Sequence, residues 1–118
     1  MRDELSAMLP LSPAALHILL ALAGEDRHGY GIIKEVARQS EGHYKLGSGT
    51  LYDNLEKLMD RGLVKEATAR SGKGEPPRRY YRLTEFGRRV LEADLVRLKT
   101  VLREARLHLR AAESSRVS

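Results

Sequence analysis

The sequence contains neither cysteine nor tryptophan. Without cysteine there can be no disulfide and no thiolate metal site, a composition that suits a reducing compartment and leads us to expect a cytoplasmic protein. Aromatic bulk is limited to Phe86 and five tyrosines, so the core has to be built mainly from Leu, Ile, Val and Ala. Long apolar runs are also missing. The longest, residues 18–23, is far too short to span a bilayer. Residues 1–10 open with Arg2, Asp3 and Glu4 and lack the apolar run of a secretory signal. His17, His28, His43 and His108 are scattered, and none stands at metal-ligand spacing from carboxylates. Gly47-Ser48-Gly49-Thr50 lacks the lysine and the preceding strand of a phosphate loop, and its glycines are read as letting a helix start close against a partner backbone. We therefore expect no metal, no cofactor, no membrane partner and no enzyme chemistry.

What is present is a chain of 118 residues, 42% apolar and 31% charged, enough for one small domain and one long appended element. The net charge of +5 is unevenly spread. Residues 1–60 carry six Lys/Arg against nine Asp/Glu, whereas residues 61–118 carry fifteen against seven. A basic half beside an acidic half suggests that one face meets a polyanion. A merely solvated surface remains the bland alternative.

Ser12 before Pro13 is a helix start, a hydroxyl cap followed by a residue whose missing N–H costs nothing there. The helix over residues 13–23 is apolar nearly all round and should be buried on more than one face. A second helix is expected over residues 29–39, with Ile32, Ile33, Val36 and Ala37 as its apolar stripe. Residues 41–47 read as a turn. A third helix over residues 49–61 buries Leu51, Leu55, Leu58 and Met59, and Gly62 closes it as a left-handed C-cap. Residues 63–70 and 78–83 are strand-compatible. Between them, residues 71–77 are rich in Gly and Pro and read as an exposed hairpin loop. Thr84 can cap a last helix running to about residue 112. The expected fold is mainly α with a small two-stranded β-wing: a winged helix-turn-helix over residues 1–84, a C-terminal dimerisation helix over 85–112, and a frayed tail over 113–118.

Two short amphipathic helices joined by a Gly-containing turn form a helix-turn-helix, whose second helix can enter a major groove. With the leucines turned inward, Ser48, Thr50, Tyr52, Asn54 and Lys57 are left to face DNA. Hydroxyls near a helix N-terminus suit phosphate oxygens, and Asn54 and Lys57 can reach base edges or backbone. Asp53 and Glu56 share that side and would repel phosphate. Either they sit over base edges, or the helix inserts by its first turn only, and the second reading is favoured. Lys65, Arg70, Lys73, Arg78, Arg79 and Arg82 cluster on or beside the hairpin. If Leu83 points inward, alternation sends Tyr81 and Arg79 the same way and Arg78, Tyr80 and Arg82 to the other face. Arg70, Lys73, Arg78 and Arg79 are the expected wing contacts with backbone or minor groove.

In the last helix Leu91, Leu95, Leu98, Leu102, Ala105, Leu109 and Ala112 recur at alternating spacings of four and three. That is a coiled-coil seam of about three heptads on a helix roughly 40 Å long. A small domain cannot bury so long a stripe, so a second copy is the expected partner, with Leu91, Leu95, Leu98, Leu102 and Leu109 at the contact.

The segments His28-Gly29-Tyr30-Gly31, Gly49-Thr50-Leu51-Tyr52, Arg61-Gly62-Leu63-Val64 and Arg79-Tyr80-Tyr81-Arg82-Leu83-Thr84 followed by Gly87 together resemble the PadR family of bacterial regulators. The resemblance covers about residues 11–109, and the single last helix is similar to the family's shorter subgroup. It implies a homodimeric winged helix-turn-helix repressor of double-stranded DNA, autoregulatory or controlling a neighbouring gene. It further implies a small hydrophobic effector that relieves repression near the dimer interface, for which Leu16, Leu98 and Leu102 are candidate lining residues. The aromatic platform that some relatives use for drug stacking has no tryptophan here to form it. The alternative function is a winged-helix protein–protein interaction module without sequence-specific DNA binding. A purely structural coiled-coil adaptor would not need the basic wing.

Overall fold

The first long helix has no polar face, and the chain folds around it. The computed structural model describes residues 2–67 and 78–117. Its helices are α1 (Arg2–Ala7), α2 (Pro13–Gly24), α3 (Gly29–Gln39), α4 (Ser48–Asp60) and α5 (Glu85–Val117), with short strands β1 (Arg27–His28), β2 (Val64–Ala67) and β3 (Tyr80–Leu83). Ser12 caps α2 as its spacing to Pro13 requires, its Oγ accepting from the Ala15 N–H at 3.2 Å. Ile18 and Leu19 of α2 are wholly buried, and Ala15, Ala21 and Leu22 nearly so. Around them close Ile32 and Val36 of α3, Leu51, Leu55 and Leu58 of α4, Tyr81 and Leu83 of β3, and Val90 and Leu91 of α5. Each such Leu or Ile contributes about 1.5–3 kcal/mol by leaving water, which is why tertiary packing holds these short helices.

The helix-turn-helix closes through left-handed residues. Glu41 (φ 53°) and Gly42 (φ 78°) end α3, with the Gly42 N–H returning to the Ala37 carbonyl at 2.8 Å. Gly62 (φ 77°) ends α4 as expected, and the Leu63 N–H bonds the Leu58 carbonyl at 2.9 Å in the same paired pattern. The strands form one antiparallel sheet in the order β1-β3-β2, with Val64 opposite Leu83 and Arg27 opposite Tyr81.

Three differences from the sequence expectation have physical causes. β1, two residues long, adds a third strand to the expected two, and a pair of residues is too short to show a period. α1 was not expected, being a single short turn-and-a-half with no stripe of its own. It exists because Leu5, together with Met8 and Leu9 just beyond it, packs on the core. α5 continues through the segment expected to fray, to Val117, since no Gly or Pro follows residue 112 and Arg116 sits favourably in its last turn. The hairpin loop over residues 71–77 lies outside the described residues.

The start of α5 is fixed against the base of the wing. The Thr84 hydroxyl donates to the Gly62 carbonyl at 2.6 Å and accepts from the Gly87 N–H at 2.9 Å, while the Thr84 N–H donates to the Leu63 carbonyl at 3.1 Å. Gly87 is buried so closely under this turn that a Cβ there would collide with the Leu63 carbonyl oxygen and the Leu83 side chain. Gly87→Ala should therefore destabilise the fold by about 1–3 kcal/mol, the usual range for overpacking. Urea unfolding should show a lowered midpoint with unchanged slope, and an unshifted midpoint would contradict this packing.

Candidate nucleic-acid interface

The α4 leucines turn inward and leave the expected polar face outside. Ser48, Thr50, Tyr52 and Lys57 are exposed, as are Asp53 and Glu56 on the same helix. Asn54 is half-buried, and its amide donates to the Thr50 carbonyl of its own helix at 2.8 Å, so part of its hydrogen-bonding capacity is already committed. Gly47 stands at the N-cap without a side-chain cap bond, which leaves the first N–H groups of α4 for an outside acceptor. Among the described residues, a Cβ added at Gly47 or Gly49 would meet nothing within 4 Å, so no contact with them demands the lack of a side chain there.

Tyr52 has a seat that its position in the sequence did not reveal. Its hydroxyl end lies over Gly29, the first residue of α3, where a Cβ would collide with it. This contact links the exposed face of α4 to the His28–Gly29 corner and from there to the wing. His28 caps α3, its Nδ1 accepting from the Gly31 N–H at 3.1 Å, and its Nε2 lies 3.1 Å from Arg78 Nη1. The signal for this corner was Gly29 itself, placed where a helix gains nothing from glycine.

The basic wing residues have different local surroundings. Arg82 makes a two-pronged contact with Asp26, at 2.7–3.2 Å, and this bonding holds its guanidinium pKa above the ordinary value. It is thus tied to the β1 side of the sheet. Arg79 pairs with Glu66 at 3.2 Å with both groups largely in water, an interaction that competes weakly with a phosphate. Period-two alternation holds for Tyr81 and Leu83, both buried, and ends at Arg79, which lies outside β3 and is exposed. Burial pushes the Tyr81 hydroxyl pKa up. Arg70 and Lys73 lie outside the described residues.

The seam of α5 divides at the domain edge. Leu91 is 4% exposed because the chain's own core takes it, so the part open to a second chain begins at Leu95. Leu98 is half-buried, while Leu95, Leu102 and Leu109 are 41, 51 and 68% exposed. Every residue from 99 to 116 is exposed. Asp94, wholly buried beside this boundary, accepts from Arg97 Nε at 2.7 Å on one oxygen, and its other oxygen has no hydrogen-bond partner among the described residues. Among the candidate effector residues, Leu16 packs half-buried at the core edge, and Leu102 lines a groove along α5 with Val96, Arg103 and Leu107. Neither Leu16 nor Leu98 lines that groove, so the single chain does not gather the three around it. Among the described residues no cluster of His, Cys, Asp and Glu could hold a metal ion, and no helix is long and apolar enough to cross a membrane.

Residues 18–93 match the family described as the Transcriptional regulator PadR-like family. The chain belongs to that family. It is 32% identical over 77 residues to the transcriptional regulator YqjI of Escherichia coli K12, a match that takes in 65% of this chain and 35% of the relative. The chain thus spans about a third of the length of the curated relatives it matches. The fold resembles a PadR family transcription regulator from Clostridium difficile R20291, with TM-score 0.71 and 23% identity over 83% of this chain and 99% of the other. It also resembles Bacillus subtilis PadR, solved in complex with operator DNA, with TM-score 0.63 and 24% identity over 74% of this chain and 49% of that one. At these identities the structural likeness is one of fold: a winged helix with a long C-terminal helix.

The Tyr52 seat can be tested directly. Gly29→Ala should displace the half-exposed Tyr52 ring at a stability change within about 1 kcal/mol, because the ring can swing into water. Ring resonances of Tyr52 in NMR spectra should move while those of Tyr44 stay. Unmoved Tyr52 resonances would show that Gly29 is not needed for that placement.

Proposed function

We propose that this chain is a DNA-binding transcriptional regulator acting as a homodimeric repressor. One observation carries the reading: Tyr52 on α4, the His28–Gly29 corner and Arg78 at the wing base are contiguous, so the helix face and the wing present one surface to a duplex. Family membership supports it, as does the operator complex of the Bacillus subtilis protein of the same fold. Ser48, Thr50 and Tyr52 anchor the first turns of α4 at the major groove, Lys57 in its last turn reaches the phosphate backbone, and Asn54 reaches a base edge with whatever its bond to Thr50 leaves. Arg78 and Arg79, together with Arg70 and Lys73 of the expected wing, meet the phosphate backbone. The exposed acidic pair Asp53 and Glu56 lies farther along α4, which favours insertion by the helix start.

The exposed leucines of α5 support pairing with a second copy through Leu95, Leu98, Leu102 and Leu109. Such pairing sets the separation of the two recognition helices, about 34 Å for successive major grooves on one face of the duplex. A small hydrophobic effector between α2 and α5, against Leu16, Leu98 and Leu102, would change that separation and release DNA.

The test is binding to the DNA upstream of the chain's own gene, against scrambled duplex, across a range of salt. Affinity should fall steeply with salt, and Lys57→Ala should lower the slope of log K against log salt by about one. Binding that is weak at low salt and indifferent to sequence would favour the protein–protein interaction module instead.

A further inference from the structure

A polar groove between α3 and the wing base holds a conflict that an anion would resolve. His28, Tyr30, Lys34, Glu35, Arg38 and Arg78 are among the residues lining it. The His28 ring is held on two sides. Its Nδ1 accepts from the Gly31 N–H at 3.1 Å, and Tyr80 packs edge-on against it with centroids 5.5 Å apart. With the Nδ1 lone pair committed to that bond, the proton of the neutral ring resides on Nε2. Nε2 therefore presents an N–H, yet the group 3.1 Å away is Arg78 Nη1, which can only donate. Two donors converge with no acceptor of their own between them. Among the described residues, no carboxylate lies within salt-bridge distance of Arg78.

The surroundings suit a negative oxygen. Lys34 is exposed, its Nζ 5.5 Å from the centroid of the exposed Tyr30 ring. Glu35, the one carboxylate among the described groove residues, is bonded to Arg38 at 2.7–2.8 Å and approached by Arg27 at 3.8 Å. The bonds from Arg38 hold its pKa below the ordinary carboxylate value and satisfy both oxygens. The Gly31 N–H is not free for that oxygen, because it already serves His28. The groove adjoins Gly29, on which the Tyr52 hydroxyl rests, so it lies between the α4 face and the wing.

We infer that His28 Nε2 and the Arg78 guanidinium jointly bind one phosphodiester group of the DNA backbone, between the contacts of α4 and those of the wing. This rests on the DNA-binding reading above and adds a site to it. One phosphate oxygen accepts from both donors, and Lys34 and Tyr30 flank the same strand. The phosphate thereby replaces the donor–donor opposition between Arg78 and His28 with two hydrogen bonds, added to the β1–β3 pairing that already joins the wing base to the start of α3.

His28→Asn separates the two duties of the ring, because asparagine keeps an acceptor for the Gly31 N–H and removes the Nε2 donor. Its urea midpoint should stay near that of the natural chain, while affinity for the upstream duplex drops by about tenfold or more, tenfold being the lower end for losing a hydrogen bond to a charged group. Arg78→Gln should also weaken binding, and the two losses should combine to less than their product because they share one phosphate. A scan of duplexes carrying single neutral methylphosphonate linkages provides a second readout. One linkage should weaken binding of the natural chain and leave each variant indifferent, and Arg78→Gln alone carries this comparison should His28→Asn fail to fold. If the natural chain binds duplex but both variants bind equally well, or their losses multiply fully, the shared phosphate is overturned and the DNA-binding reading stands. If the natural chain binds no duplex, both fall together.

Discussion

The junction between Gly62–Leu63 and Thr84–Gly87 is the constraint on which the rest of the molecule depends. Recognition helix, wing and long helix meet there within a few ångströms. Gly62 ends α4 in a left-handed turn, Leu63 passes the chain into β2, and its carbonyl receives the Thr84 N–H at 3.1 Å as β3 passes into α5. Thr84 ties the same turn to the helix start through its hydroxyl. Each hydrogen bond contributes only about 1 kcal/mol net. Their geometric effect is larger than their energy, because a helix of 33 residues, about 50 Å long, magnifies any change of direction at its first turn. The absence of a side chain at Gly87 lets that turn sit on the Leu63 backbone without a gap. The direction of α5 is thus set relative to the surface we assign to DNA.

Charge alone is a coarse guide to that surface. The sequence places several cations around the hairpin, and the fold gives them unlike surroundings. Arg82 is held by both oxygens of Asp26, Arg79 shares a solvent-exposed pair with Glu66, and Arg78 faces a second donor on His28. The last arrangement is the unfavourable one in the free protein. A phosphate oxygen accepting from both donors would remove that opposition, which is the contact inferred for the wing base.

Much of the fold was legible because its signals are local and repeated. Ser12-Pro13, the α3 stripe, the α4 leucines and Gly62 each act within one or two helical turns, and the long helix declares itself through spacings of four and three. The missed elements depend on contacts made elsewhere. β1 is two residues long and exists only by pairing with β3, and α1 depends on apolar side chains docking on a core built by later segments. The site was legible as a set of outward-facing residue types but not as an arrangement. That Leu91 would be drawn into its own domain, that Asn54 would bond its own helix, and that Tyr52 would lie over Gly29 all depend on tertiary packing.

The same packing leaves one large apolar surface uncovered. From residue 99 to residue 116 every residue of α5 is exposed, Val101, Leu102, Leu107 and Leu109 half or more so. A lone helix of that composition is marginal in water, and a second copy along the seam is the cover that the account requires. Sedimentation equilibrium of the whole chain, without DNA and across a range of concentrations, tests this most directly. Twice the single-chain mass is expected at micromolar concentrations and above. A single-chain mass throughout that range would contradict it, and with it the pairing of two recognition helices on one operator.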